Sequence, residues 1–167
     1  MLRAQDKMKW TIISTGIFTS FLFQPVFGVV DLEERTVRAL GGWENEFTVT
    51  SAEDIGKLTA RIVLDVKESG GKGWDGVVKI AGDTKTFRDV VSIVRRLVGE
   101  MEEEVLSVQE LERRYREDSD DVGLKYQLIW ARNKGVSWSV EESWNGKRGI
   151  KVESLEEWVE KNLSKPS

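Results

Sequence analysis

The stretch "KWTIISTGIFTSFLFQPVFGVV", residues 9–30, decides how the rest of the chain is interpreted. Basic residues precede this apolar run and small residues close it near Gly28, an order that is typical of a secretory signal. Hydroxyl side chains and a Gln-Pro pair interrupt it, however, whereas a membrane-spanning helix needs about 20 mostly apolar residues. We therefore favour a buried strand at Trp10–Ser14, a turn at 15–16 and a second apolar piece over 17–23.

The composition excludes several classes of function. At 167 residues the chain has the length of one domain with its own core. Its formal net charge of −4 leaves no overall positive field for phosphates, which disfavours nucleic-acid binding. The absence of cysteine excludes disulfides and thiolate nucleophiles and favours a reducing, cytoplasmic compartment with no membrane anchor. The absence of histidine excludes a Ser-His-Asp or Cys-His catalytic centre.

Short strands and capped helices alternate along the chain. The segment "FTVT" at 47–50 predicts a strand, and "VVKIAG" at 77–82 predicts another. Three pairs have the spacing of a helix cap and its first-turn partner: Ser51 with Asp54, Thr86 with Asp89, and Ser154 with Glu157. Apolar side chains recur at helical spacing after each pair, so three amphipathic helices are predicted there.

The more polar segments are predicted from charge and glycine content. Residues 31–40, "DLEERTVRAL", have the character of a polar helix, and residues 100–121 predict a solvated surface helix. An acidic metal site is disfavoured in 100–121, because the carboxylates lack a fixed ligand spacing. Another helix is predicted over 122–135. The glycines at 70–76 predict a surface turn, because they precede a strand and a dinucleotide-binding loop follows one.

The order of these pieces resembles a known family. The strand ending in "STGIF", the stretch "GGWENEFTVTSAEDIGKLTARIVL", the strand "VVKIAG" with its capped helix and the late "SLEEWVEKNL" resemble the carboxy-terminal half of NmrA-like and isoflavone-reductase-like proteins, which are atypical short-chain dehydrogenases. The resemblance covers nearly the whole chain and rests on order. It implies an α/β, incomplete Rossmann-like fold with late sheet strands over 1–100, and a helical substrate cap over 101–167.

The resemblance also implies a ligand site just after the first strand. Ligands of open α/β sheets bind outside the carboxyl ends of the strands. By this resemblance, the nicotinamide end of NADP is bordered by Thr15, Gly16, Ile17 and Phe18. An apolar wall facing a small apolar or aromatic substrate is formed by Phe18, Phe21 and Leu22. The alternative for the aromatic side chains over 18–27 is simple packing in the core.

Several features of the family have no counterpart in these residues. There is no glycine-rich strand-turn-helix for a pyrophosphate, and neither tyrosine is followed by a lysine at the fourth position. The family's catalytic lysine lies upstream of the strand that here begins at Trp10, and Lys7 and Lys9 are too close to that strand to take its role. No catalytic residue is therefore predicted. We expect the substrate-side portion of an NAD(P)-dependent oxidoreductase, truncated and inactive alone.

Two alternatives remain open. NmrA-like proteins include non-catalytic regulators that sense a dinucleotide and bind a protein partner, and the chain could be one of these. It could also be a secreted or membrane-anchored protein that uses residues 9–30 as its targeting segment. If the chain is either the oxidoreductase portion or the regulator, the strand at Trp10–Ser14 lacks a neighbour on one side, so a protein partner is expected to cover its exposed edge.

Overall fold

The computed structural model describes residues 8–68 and 75–163. Strands and helices follow one another in this order: β1 (Trp10–Ser14), β2 (Ile17–Phe18), β3 (Val30–Asp31), β4 (Thr36–Leu40), β5 (Glu46–Thr50), α1 (Ala52–Glu68), β6 (Asp75–Lys79), β7 (Asp83–Thr86), α2 (Phe87–Val98), β8 (Glu102–Leu106), α3 (Val108–Glu117), α4 (Val122–Ala131) and α5 (Leu155–Leu163). Short 3-10 turns lie at Thr19–Phe23, Pro25–Phe27 and Gly146–Arg148. The predicted α/β class is confirmed.

The strand predicted at Trp10–Ser14 is confirmed as β1. It pairs in parallel with β6, and Ile12 lies beside Val77 in the register. On the opposite face of this two-stranded sheet, Ile13 and Val78 pack against a small core that contains Leu58 of α1. The inner face of the β1–β6 sheet is thus covered by α1, which is part of the long connection that parallel strands require.

Residues 9–30 form a strand followed by short turns instead of one long helix. Within the described ranges 8–68 and 75–163, we find no helix with the length and apolar content needed to cross a bilayer. Most of the glycine-rich segment at 70–76, including Trp74, lies outside the described residues, so its prediction as a surface turn stays a prediction.

The polar helix predicted over 31–40 is wrong. The segment forms β3, a tight turn and β4, which runs antiparallel to β3 and parallel to β8. The carboxylate of Asp31 accepts hydrogen bonds from the backbone N–H groups of Glu33 and Glu34 at 3.1 and 2.9 Å, and Arg35 takes a positive φ of 51°. These side-chain bonds stabilise a turn in place of a helix. Four of the five residues in β4 are then buried.

The single surface helix predicted over 100–121 is also wrong in its first part. Residues of that part form β8, and only α3 is helical, beginning after Ser107, whose side chain accepts from the Glu110 N–H at 3.2 Å. The exposed acids of β8 face arginines on neighbouring elements. Glu104 contacts Arg38 of β4 at 2.7 Å. The acidic residues of this segment therefore form ion pairs with neighbouring elements, as here between two strands.

The predicted helix caps are confirmed. Ser51 Oγ accepts from the Asp54 N–H at 3.2 Å, and Thr86 and Asp89 form a reciprocal capping box at the start of α2. Ser154 Oγ accepts from the Glu157 N–H at 3.2 Å at the start of α5. On α1, Leu58 and Ile62 lie on the predicted apolar face and are buried, but Val63, which has the same helical spacing, is 41% exposed and lies outside the packed face. α4 ends at Ala131, four residues short of its predicted end.

One main core joins the early and late parts of the chain. Leu22, Val37 and Phe87 share it with Leu111 of α3 and Leu128 of α4. β8, from the late part, also pairs with β4, from the early part. The regions 1–100 and 101–167 that the sequence predicts as two parts therefore share both a sheet and a core.

Candidate functional site

The turn between β1 and β2 is pressed against β5. Gly16 has φ +69°, and a Cβ added to it would lie 2.2 Å from the carbonyl oxygen of Thr48. The Oγ1 of Thr50 donates to the carbonyl of Thr15 at 2.7 Å. Only glycine accommodates both this left-handed conformation and this approach of two backbones. The carboxyl end of β1 is thereby held in place.

A cavity of about 310 Å³ opens at this carboxyl end, and we call it the β1-end cavity. Three of the four residues predicted to border the cofactor line it, namely Thr15, Gly16 and Ile17. The remainder of the lining comes from β1, from α4 and from the segment after α4: Ile12, Ile13, Ser14, Trp130, Gly135, Val136 and Trp138. Among these described lining residues none has an ionisable side chain. The cavity can therefore supply shape, apolar surface and hydroxyl groups, but no proton donor with a shifted pKa.

Trp138 is the best-anchored wall of the cavity. Its backbone N–H donates to Thr48 Oγ1 at 3.0 Å, and its indole N–H donates to the carbonyl of Ile80 at 3.2 Å. Thr84 Oγ1 donates to its carbonyl at 2.7 Å. Lys79, at the carboxyl end of β6, places its ammonium group 5.2 Å from the Trp138 ring centroid. The indole is thus oriented before any ligand arrives.

The three residues predicted to form the substrate wall differ in burial: Phe18 and Phe21 are half-buried, and Leu22 lies in the core. Phe18 is half-buried, and its ring centroid lies 5.0 Å from that of Phe21. Phe21 in turn stacks on Phe27 with centroids 4.4 Å apart. Leu22 is fully buried in the main core. Core packing, the alternative that the sequence left open for the aromatic side chains of this segment, applies to Phe27, and Phe21 and Phe23 pack against the same core. A role in binding substrate stays a prediction for Phe18, Phe21 and Leu22.

Sequence reasoning missed Trp130 and Trp138. Both are nearly buried, at 5% and 9% exposed, and both lie more than a hundred residues after β1. The only signal available was the high tryptophan content, which does not say which indole reaches the end of a given strand. Trp130 is placed by the packing of α4, and Trp138 by the path of the chain after α4.

The strongest electrostatic effects lie away from the β1-end cavity. Hydrogen bonds from Arg113 and then Arg114 hold the pKa of Glu110, on α3, at about 2. A hydrogen bond from Arg88 lowers the pKa of Glu103, on β8. These are ion pairs at the surface. Over residues 8–68 and 75–163, no group of three or more acidic side chains is arranged to hold a metal ion.

Comparison with known proteins first defines the class of fold. A nucleoside-diphosphate-sugar epimerase from Staphylococcus aureus superposes with a TM-score of 0.63 over 95% of this chain and 54% of its own chain, at 14% sequence identity. That similarity identifies a partial Rossmann-like fold. It says nothing by itself about chemistry.

Sequence similarity relates the chain to a known oxidoreductase. An NmrA-like family domain-containing oxidoreductase from Gibberella moniliformis is 39% identical over 160 residues, which is 95% of this chain and 51% of that protein. No family model matches the chain. The family resemblance predicted from the sequence is confirmed: the chain is related to the NmrA-like oxidoreductases, and it spans about half the length of the relative that it matches.

Proposed function

We propose that the chain forms the substrate-side portion of an NAD(P)-dependent oxidoreductase, in which Thr15, Gly16, Ile17 and Phe18 border the nicotinamide end of NADP. The β1-end cavity is the observation that carries this proposal. It lies where open α/β sheets bind their ligands, and the related oxidoreductase supports redox chemistry. The absence of cysteine supports a cytoplasmic setting.

The substrate in this proposal is a small apolar or aromatic carbonyl compound or enone. The neighbouring rings of Phe18 and Phe21 support an apolar wall, with Leu22 behind them in the core. Hydride transfer to such a substrate also needs a proton donor, and the described lining of the β1-end cavity has no ionisable side chain. We therefore assign the proton donor and the pyrophosphate site to the part of the related oxidoreductase that this chain does not cover, and we expect no turnover from this chain alone.

A protein partner in this proposal covers the edge of β1 and the adjoining outer face of the β1–β6 sheet. Ile12 and Val77 are neighbours in the register and are 40% and 49% exposed. Parallel sheets are normally covered on both faces. Two adjacent exposed apolar side chains on this sheet therefore support the proposal that a further layer of protein covers it. The partner proposed here is the complementary portion of an NmrA-like protein.

Binding of the nicotinamide half of the cofactor tests the site. Reduced nicotinamide mononucleotide is expected to change the fluorescence of the chain saturably, because Trp130 and Trp138 line the cavity. AMP, the other half of the cofactor, is expected to have no effect. Val136→Phe fills the cavity and abolishes the response, whereas Val105→Phe, at an exposed position on β8, preserves it. A response to AMP alone, or one that survives Val136→Phe, would overturn the assignment.

Reconstitution separates the reductase from a second candidate, a non-catalytic dinucleotide-sensing regulator. The lack of an ionisable group in the described cavity lining favours this second candidate. The chain is mixed with the portion of the Gibberella relative that it does not match, and NADPH oxidation is followed with an aromatic enone. Turnover supports the reductase, and saturable NADPH binding without turnover supports the regulator. Ile12→Lys is expected to prevent the two portions from associating, and unchanged association would contradict the partner proposal.

A further inference from the structure

The outer side of α4 presents an exposed apolar stripe. Val122, Tyr126 and Ile129 are 59%, 41% and 45% exposed. Their spacing of four and three residues places them on one side of the helix, and we call them the α4 stripe. Leu128 and Ala131 on the other side are buried in the main core. A helix that is apolar on both sides is normally covered on both sides.

The α4 stripe is held in a defined shape. The Tyr126 ring packs edge-on against Phe27, with centroids 5.6 Å apart, and lies 5.8 Å from the Trp130 ring. Beside the start of the helix, a Cβ on Gly123 would lie 2.1 Å from the carbonyl oxygen of Val26, and Val26 itself is 55% exposed. The stripe thus continues onto the turn at Pro25–Phe27, which packs closely against the start of α4.

The charges at the two ends of α4 indicate which partner can pack on the α4 stripe. Asp118 and Asp120 precede the helix, and Lys134 follows it. Asp121 caps the helix by accepting from the Leu124 N–H at 3.0 Å, and Arg132 is paired with Glu112 of its own chain at 2.8 Å. When a second α4 is laid antiparallel across the first, the acidic end of each copy faces the basic end of the other. Lys125 of each copy then lies near the two-fold axis beside the Tyr126 ring of the other copy, where a cation on an aromatic face is attracted. This is the self-complementarity that a two-fold interface requires.

We propose that α4 is a self-association surface, in which the α4 stripes of two copies of this chain pack antiparallel about a two-fold axis. The apolar stripe supplies the buried area and the charged ends set the direction. The proposal does not depend on the proposed function, because it uses the side of α4 that faces away from the core.

Sedimentation velocity of the 167-residue chain over a range of concentrations tests it. The wild type is expected to form a dimer, and Ile129→Glu is expected to be monomeric, because it places a buried charge beside the acidic end of the other copy. Leu64→Glu is the matched control: Leu64 lies on α1, is 53% exposed and is also apolar, and its variant is expected to stay dimeric. Circular dichroism verifies that both variants are folded.

Three outcomes would overturn the proposal. The wild type could remain monomeric at every concentration, or Ile129→Glu could leave the dimer unchanged. Thirdly, Ile12→Lys could abolish the dimer, which would place the interface on the β1–β6 sheet.

A charge exchange tests the antiparallel direction separately. Lys134→Glu is expected to weaken the dimer up to about fivefold per pair at low salt, as for an exposed ion pair, and Asp120→Lys in the same chain is expected to restore it. Restoration requires the acidic end of one copy to face the basic end of the other. If the double variant is weaker than either single variant, the antiparallel packing is wrong.

Discussion

At the scale of single residues, Gly16 shapes the β1-end cavity. Its φ is +69°, and an added Cβ would lie 2.2 Å from the Thr48 carbonyl oxygen. Gly16→Ala is expected to lower the free energy of unfolding by about 1–3 kcal/mol for the backbone conformation alone, and by more because β5 must move. Urea unfolding measures the change.

A glycine without these constraints is the control. In Gly56→Ala, on α1, nothing lies within 4 Å of the added Cβ. Since alanine is favoured over glycine inside a helix, this variant is expected to gain about 0.5–1 kcal/mol. Equal effects of the two substitutions would contradict the account of Gly16. The sequence predicts a turn at Thr15 and Gly16, but the approach of Thr48 follows from the position of β5, which no local pattern contains.

At the scale of elements, α3 is stabilised by charge. Glu110 accepts from Arg113 at 2.8 Å and from Arg114 at 2.7 Å, and its pKa in the folded protein is about 2, against an ordinary value of 4.5. A carboxyl group whose pKa is lowered by folding stabilises the fold above its unfolded pKa and ceases to do so as the pH falls towards the folded pKa. Glu110→Gln is therefore expected to be less stable than the wild type at neutral pH.

The difference between Glu110→Gln and the wild type is expected to shrink as the pH falls from 4.5 towards 2. Chemical unfolding at a series of pH values measures it. High salt supplies the control, because it screens exposed ion pairs and should narrow the difference at neutral pH as well. A difference that is independent of both pH and salt would show that the ion pairs of Glu110 do not stabilise α3.

The elements differ in how far local sequence predicts them. The caps at Ser51, Thr86 and Ser154 are correctly predicted, because a cap is a contact between residues three apart. The strands β4 and β8 are missed, because they pair with each other across 66 residues of sequence, as in the contact of Arg38 with Glu104. Polar and acidic residues on such strands look like a solvated helix until the pairing is known.

At the scale of the whole molecule, a buried asparagine connects the segment after α4 to the sheets. Asn145 is 1% exposed. Its Nδ2 donates to the carbonyl of Ala81 at 2.8 Å, and its Oδ1 accepts from the Ala81 N–H at 3.0 Å. Asn145→Ala leaves both backbone groups of Ala81 without this partner, and a buried unsatisfied group costs about 1–3 kcal/mol.

The unfolding of Asn145→Ala and Asn162→Ala is compared by urea titration. Asn162 is exposed on α5, where its Nδ2 donates to the Trp158 carbonyl at 2.7 Å. Since water replaces that bond, Asn162→Ala is expected to change stability by about 0.5 kcal/mol or less. If the two substitutions have the same effect, the link between Asn145 and Ala81 does not stabilise the molecule.

By itself, the sequence determined the α/β class, the strand at Trp10–Ser14, three capped helices and the relation to NmrA-like proteins. These depend on spacing within one turn or on the order of elements along the chain. The tertiary structure alone decided that β4 and β8 are strands, that Leu22 lies in the core and that Trp130 and Trp138 meet Gly16 at the β1-end cavity. The reason is physical: burial and strand pairing between distant segments outweigh local preference, and distant contacts leave no periodic signal in the chain.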